Sequence, residues 1–82
     1  MENILNMKFE ILNDSTDTLK LMIEPVPEFY VLEPGVLATL EGESPSNAIP
    51  RLDVQPGYIV VYEMEDNSTL RINGILIPPS FE

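Results

Sequence analysis

Apolar and polar residues alternate in the first part of the chain. The run MKFEIL at 7–12 alternates, with Met7, Phe9 and Ile11 on the predicted inward face, and TLKLMI at 18–23 alternates in the same way. A period of two is typical of strands that bury one face. The five residues between these runs, Asn13–Asp17, are all turn-formers and predict a loop. We therefore expect two strands joined by a short polar loop as an antiparallel hairpin.

The middle of the chain contains two more apolar runs, Phe29–Leu32 and Val36–Leu40, on either side of the tripeptide EPG at 33–35. Proline presets φ at about −65° and glycine accepts positive φ, so Pro-Gly favours the centre of a type II turn. We expect two strands around this tight turn. Alternation places three residues of the second run on the core side: Val36, Ala38 and Leu40.

The second half of the chain continues the pattern. YIVVYEM at 58–64 is apolar on both faces as far as Glu63, which predicts a central strand covered on both sides. The composition of 42–50 predicts a loop, and RLDV at 51–54 predicts a short strand before the Pro56-Gly57 turn. Asn73-Gly74 lies between two further apolar runs and favours a type I′ hairpin. Four residues of that hairpin should share one face: Leu70, Ile72, Ile75 and Ile77.

No segment repeats apolar residues with the helical period. The fold class that we predict is all-β, a small antiparallel β-sandwich of about seven to eight short strands, with a partly open barrel as the alternative. A chain of 82 residues forms a single domain, 1–82. The segments 31–43 and 53–65 share Pro-Gly and Glu-x-Glu, either by convergence on one kind of turn or by duplication.

Charge and composition exclude several classes of function. Fourteen acidic residues against four basic ones give a net charge of −10, which argues against binding nucleic acid or an anionic membrane surface. Without Cys or His the chain lacks thiolate chemistry and the commonest general base, so we expect no enzyme, no cofactor and no metal site. The N-terminal sequence lacks the features of a signal peptide, which makes the cytoplasm the expected location.

Acidic residues are concentrated in the middle of the chain. No Lys or Arg lies between Lys20 and Arg51. Such a stretch favours a positively charged partner. We predict a non-catalytic protein-interaction domain that presents an acidic face to a basic protein. The candidate partner-binding residues are Glu24, Glu28, Glu33, Glu41 and Glu43.

Two other functions remain open. Tyr58 and Tyr62 share a strand face and would form an aromatic platform for a small ligand, a sugar or a cation. A carboxylate-based hydrolase that uses Glu41 and Glu43 ranks last, because a chain of 82 residues has little room for a sheltered cleft. Asp14-x-x-Asp17 lacks the spacing of a calcium loop, so we interpret it as turn chemistry.

One motif resembles a known family. Ile23-Glu24-Pro25 followed by Phe29-Tyr30-x-Leu32-x-Pro34-Gly35 is similar to a motif, I-E-P-W followed by Y-x-L-x-P-G, of small acidic bacterial proteins of uncharacterised function. This chain has Val26 where that family often has Trp. The resemblance covers about thirteen positions, 23–35, and implies a small all-β fold and a bacterial origin. It implies no catalytic residue, cofactor or substrate.

Overall fold

The computed structural model describes residues 4–24, 27–45, 49–62 and 68–80, and within them it contains eight strands and no helix. This confirms the prediction of an all-β chain with seven to eight short strands. The strands are β1 (Ile4–Leu12), β2 (Leu19–Ile23), β3 (Glu28–Leu32), β4 (Leu37–Pro45), β5 (Arg51–Gln55), β6 (Tyr58–Tyr62), β7 (Thr69–Ile72) and β8 (Ile75–Ile77).

The strands form two four-stranded sheets, which we call sheet A, of order β1-β4-β7-β8, and sheet B, of order β3-β2-β6-β5. Every pairing between these strands is antiparallel except that of β2 with β6, which is parallel. Neither sheet closes into a barrel. The fold is therefore the predicted small β-sandwich, and the barrel alternative is not adopted.

The hydrophobic core lies between the two sheets. Sheet A contributes four buried residues, Ile11, Ala38, Leu40 and Leu70, and sheet B contributes five, Leu21, Ile23, Tyr30, Leu32 and Val61. The inward faces predicted for the first strand and for 36–40 are confirmed. In the last hairpin Leu70 pairs with Ile77, so the predicted shared face is confirmed as well. Burial of these apolar side chains is the main favourable contribution to folding.

The predicted antiparallel hairpin of the first two strands is wrong. β1 pairs over its whole length with β4, from Ile4 opposite Pro45 to Leu12 opposite Leu37, whereas β2 lies in the other sheet. The loop after Leu12 therefore crosses between the sheets. Alternation identifies the buried face of a strand, but it does not identify the neighbouring strand.

The two Pro-Gly turns have different architectures. At 33–35, Gly35 has φ of 81° and the N–H of Val36 donates to the carbonyl of Glu33 at 3.2 Å, as a type II turn requires. The tight turn is confirmed, but its strands β3 and β4 belong to different sheets. Pro56-Gly57 instead closes a true hairpin of β5 and β6. This difference favours convergence as the origin of the similarity between 31–43 and 53–65.

Several predicted boundaries are corrected. β1 begins at Ile4 rather than Met7. β4 continues to Pro45, although composition predicts a loop from Gly42. Both strands are longer than predicted because their added residues pair with each other. β5 extends one residue beyond the prediction, to Gln55. The predicted continuation of β6 to Met64 lies outside the described residues. At the last hairpin, φ values of 53° at Asn73 and 77° at Gly74 confirm the type I′ turn.

β6 is central in its sheet, as predicted, but it is incompletely covered. Val61 is fully buried in the core. On the opposite, outer face of sheet B, Val60 is buried while Tyr58 is 39% exposed. The expected cover on both sides is therefore confirmed in the middle of the strand, at Val60 and Val61, but not at Tyr58 where the strand begins.

Candidate functional site: a groove on the outer face of sheet B

A groove of about 260 Å³ lies on the outer face of sheet B. The register of the sheet explains its position. β3 places Val31 beside Lys20 and Phe29 beside Met22, and the parallel strand β6 places Tyr58 on the other side of Lys20. Residues paired in this way point to the same side of a sheet. Their side chains therefore form one largely apolar surface.

The groove is open to solvent, and most of its lining is apolar. Val31 is 47% exposed and Tyr58 is 39% exposed, whereas Met22 and Phe29 are half-buried. Among the described residues that line the groove only Lys20 carries a charge. A lysine commonly lays its methylene stem along an apolar surface and keeps its ammonium group in water.

The segment after β8 forms one edge of the groove. The backbone N–H of Ser80 donates to the carbonyl of Phe29 at 2.6 Å, in an isolated antiparallel bridge to β3. Ser80 also lines the groove. The chain thus passes from sheet A to the free edge of sheet B and limits the groove on that side.

Two of the five predicted acidic residues lie at the ends of this groove. Glu24 follows Met22 by two positions, and Glu33 follows Val31 by two positions. Because β2 and β3 are antiparallel, these two residues lie beyond opposite ends of the groove along the paired strands. The N–H of Glu24 donates to the carbonyl of Val61 at 2.8 Å, which continues the β2–β6 pairing to this residue.

The other three predicted acidic residues lie elsewhere, so the five do not form one face. Glu28 accepts a hydrogen bond from the hydroxyl of Ser68 at 2.9 Å. Glu41 and Glu43 lie on β4 in sheet A, and Glu41 forms an ion pair with Arg71 at 3.7 Å. Glu41 is also directly opposite Lys8 on β1. Basic residues thus surround Glu41.

The two tyrosines of the predicted platform have different surroundings, because Arg51 covers the ring of Tyr62. Tyr58 and Tyr62 share the outer face of β6, as expected. The guanidinium of Arg51 lies 4.3 Å from the centre of the Tyr62 ring, a cation–π contact. Of these two tyrosines, Tyr58 lines the groove and Tyr62 does not. The predicted two-residue platform is therefore reduced to Tyr58 beside residues of β2 and β3.

Met22, Phe29 and Val31 were not among the residues predicted from the sequence. The available signal was the run at 29–32, which is apolar on both faces. A run of this kind indicates a strand with an apolar outer face as well as a core face. Joining that face to Tyr58 requires the parallel pairing of β2 with β6, which no local sequence pattern indicates.

The turn that carries Glu33 is fixed by Asn13, which is only 2% exposed. The N–H of Asn13 donates to the carbonyl of Val36 at 2.9 Å, and its own carbonyl accepts from the N–H of Gly35 at 2.8 Å. Its side-chain amide donates to the carbonyls of Asp17, at 2.9 Å, and Leu32, at 2.8 Å. A fully bonded buried amide holds the surrounding loops in one arrangement.

The side chain of Asn13 also accepts hydrogen bonds. Its Oδ1 receives one from the N–H of Ser15 at 3.2 Å and one from the Ser15 hydroxyl at 2.7 Å. With these two, every polar group of Asn13 has a partner. The turn at Glu33 and the loop of Asp14 and Asp17 therefore form one rigid end of the sandwich.

The chemistry available in the described residues is limited. Burial, and then the negative charge of Glu28, raise the pKa of Tyr30 above its ordinary value. Across the described ranges, no group of three or more acidic side chains is arranged to hold a metal ion. The same residues include no helix that is long and apolar enough to cross a membrane.

Fold and groove together define a small β-sandwich with an exposed, largely apolar groove on one sheet. Comparison with protein-family models, with curated protein sequences and with solved structures finds no match. The resemblance of the 23–35 motif to small acidic bacterial proteins therefore stays a prediction.

Proposed function

We propose that the protein is a non-catalytic domain that binds a basic protein partner through the groove of sheet B. The observation that carries this proposal is an exposed apolar groove with a carboxylate beyond each end, Glu24 and Glu33. Exposed apolar surfaces with a polar rim are characteristic of interaction sites. Aromatic residues and methionine, which are enriched at protein interfaces, form much of the lining here.

The size of the groove favours a side chain of a protein over a free small molecule. Its volume is about 260 Å³. Pockets for drug-sized ligands have volumes of roughly 300–1,000 Å³ and bury most of the ligand. A smaller, open groove suits one apolar side chain anchored by the rest of a larger partner. The expected partner segment therefore has an aromatic or aliphatic residue with basic residues before and after it.

The charge of the whole chain supports a basic partner. A net charge of −10 attracts positively charged proteins over several ångströms and speeds their association. This attraction weakens as salt shortens the Debye length. Binding should therefore be strongest at low ionic strength. The cytoplasm is the location that we propose for this domain.

A small-ligand module remains the second candidate, because Tyr58 offers an exposed ring in the groove. Sugars stack on such rings. A cation is less suited, since Lys20 lies beside Tyr58. A hydrolase has no support from the arrangement of its two candidates: Glu41 is engaged by Arg71, and Glu43 lies on the same face of β4 rather than across a cleft.

Selection of random peptides displayed on phage tests the proposal. Peptides retained by the wild-type protein should combine Lys or Arg with an aromatic or aliphatic residue, and their binding should weaken with salt. Val31→Gln should abolish this binding. Leu37→Gln is the matched control, because Leu37 is 46% exposed on sheet A and Val31 is 47% exposed on sheet B. Equal loss in both variants, or acidic peptides in the selected pool, would contradict the proposal.

A further inference from the structure

The far edge of sheet B is open. β5 pairs with β6 on one side, and no strand of the described ranges pairs with its other side. Four of its five residues are exposed and Asp53 is half-buried. An open edge presents backbone N–H and C=O groups to which a further strand can bond.

Apolar side chains beside this edge are left uncovered. Leu52 lies opposite Val61, and Val54 lies opposite Ile59, so both point to the core side of sheet B. Yet Leu52 is 55% exposed and Val54 is 70% exposed. Ile49, just before the strand, is 87% exposed. Core-side residues that stay exposed as a group indicate a surface which another chain covers.

We propose that a second copy of this chain pairs with β5 in antiparallel fashion, with Leu52 opposite Leu52 of the second copy. The backbone allows this pairing. In a two-residue hairpin the flanking residues, Gln55 and Tyr58, form a hydrogen-bonded pair. Alternation then directs the N–H and C=O groups of Leu52 and Val54 away from β6. The two copies of Leu52 would exchange two hydrogen bonds, and each Val54 N–H would reach the carbonyl of Pro50.

The charges on β5 favour this register over the registers centred on Asp53 or Val54. Centred on Leu52, the pairing places Arg51 opposite Asp53 of the second copy, and it does so twice by symmetry. Opposite charges in directly facing positions stabilise a strand pair, whereas like charges destabilise it. A register centred on Asp53 would bring two carboxylates face to face. One centred on Val54 leaves Arg51 without an opposite charge.

The same strand limits the strength of the association. β5 has only five residues. Proline at position 50 has no N–H to donate to the ladder. Short strands and prolines are features that restrain edge pairing. We therefore expect a reversible dimer that forms with increasing protein concentration, rather than a permanent one or a growing fibre, since the pairing is symmetric and uses up both edges.

Cysteine substitution tests the register directly, because the chain contains no Cys. The register places the Cα atoms of the two Leu52 residues about 5.5 Å apart, which suits a disulfide. The two Val54 residues would be about 13 Å apart along the strands. Under mild oxidation Leu52→Cys should give a covalent dimer and Val54→Cys should not. Equal cross-linking of both variants, or none in either, would overturn the proposal.

Charge exchange tests the pairing independently in sedimentation experiments over a wide concentration series. The wild-type chain should dimerise, and Arg51→Asp or Asp53→Arg alone should stay monomeric. Mixing these two variants restores opposite charges at both positions and should restore a dimer. Glu10→Arg, on sheet A, is the control for charge reversal and should dimerise at least as well as wild type. A monomeric wild type, or single variants that dimerise equally well, would refute the proposed dimer.

Discussion

The side-chain amide of Asn13 donates a hydrogen bond of 2.8 Å to the backbone carbonyl of Leu32. Asn13 follows the last residue of β1 in sheet A, and Leu32 is the last residue of β3 in sheet B. One buried polar group thus connects the two sheets at the end that carries Glu33. The apolar core holds the sheets together, and Asn13 fixes the arrangement of the loops at their end.

Replacing Asn13 by Ala should strongly destabilise the fold. The carbonyl of Leu32 would lose a buried partner, and leaving a buried group unsatisfied is costly; the more exposed groups of Ser15 and Asp17 would lose one bond each. We expect a loss of roughly 2–4 kcal/mol in the free energy of unfolding. Asn6→Ala, at an exposed position of β1, is the control and should change stability by less than about 0.5 kcal/mol. Urea unfolding of both variants measures the difference, and equal stability would show that the network is dispensable.

Glycine at position 35 is required for its backbone conformation. Its φ is 81°, and a Cβ added there would meet nothing within 4 Å. The cost of Gly35→Ala is therefore conformational strain alone, about 1–2 kcal/mol. Gly57→Ala, with φ of 86° and equally open surroundings, should cost a similar amount. Thermal melts compare the two. A much larger loss at Gly35 would show that Ala also disturbs the hydrogen bond to Asn13.

The raised pKa of Tyr30 predicts that the folded protein loses stability in alkali. Its raised pKa means that the folded chain keeps the phenolic proton at a pH where the unfolded chain has released it. Its contribution is complete below the unfolded pKa of about 10 and is lost as the pH rises through the folded value. Tyr30→Phe should remove this part of the alkaline loss, whereas Tyr58→Phe should keep it. Melting temperatures from neutral pH into alkali test the difference, and identical profiles would contradict it.

Neutral salt should stabilise the protein. Fourteen acidic residues against four basic ones repel one another more than they attract, and salt screens that repulsion. Melting temperature should rise with sodium chloride. The rise should be smaller in Glu33→Gln and larger in Lys8→Gln, which lower and raise the net negative charge. If salt instead lowered the melting temperature, ion pairs such as Glu41–Arg71 would be the dominant electrostatic contribution.

The local elements could be predicted from the sequence, but the way in which they are joined could not. Positive φ is restricted to a few residue types, so Pro-Gly and Asn73-Gly74 were reliable turn signals. Alternation correctly gave the buried faces of β1 and β4. Neither pattern contains information on which strands pair. The sequence therefore predicted that β1 pairs with β2, whereas β1 pairs with β4. Asn13 was assigned to a turn on composition, and it is buried where its own loop meets the turn that follows β3, a meeting that composition does not indicate.

The candidate site, like the fold, could be predicted from the sequence only in part. Glu33 and Tyr58 were singled out on charge and aromatic character; Tyr58 lines the groove, and Glu33 lies beyond one end of it. Glu41 was selected by the same argument, but basic residues distant in sequence, Lys8 and Arg71, come together around it. Cross-strand neighbours decide whether a carboxylate is free to bind a partner. They depend on sheet order, which composition does not encode.

Amide chemical-shift mapping with a selected basic peptide is the most direct test of the central claim. In ¹⁵N–¹H spectra we expect the largest shifts at Met22, Phe29, Val31 and Tyr58, with smaller ones at Glu24 and Glu33. The shifts should vanish in Val31→Gln and persist in Leu37→Gln. Largest shifts on the outer face of sheet A, around Glu41, or shifts spread over all acidic residues, would show that the groove of sheet B is not the binding surface.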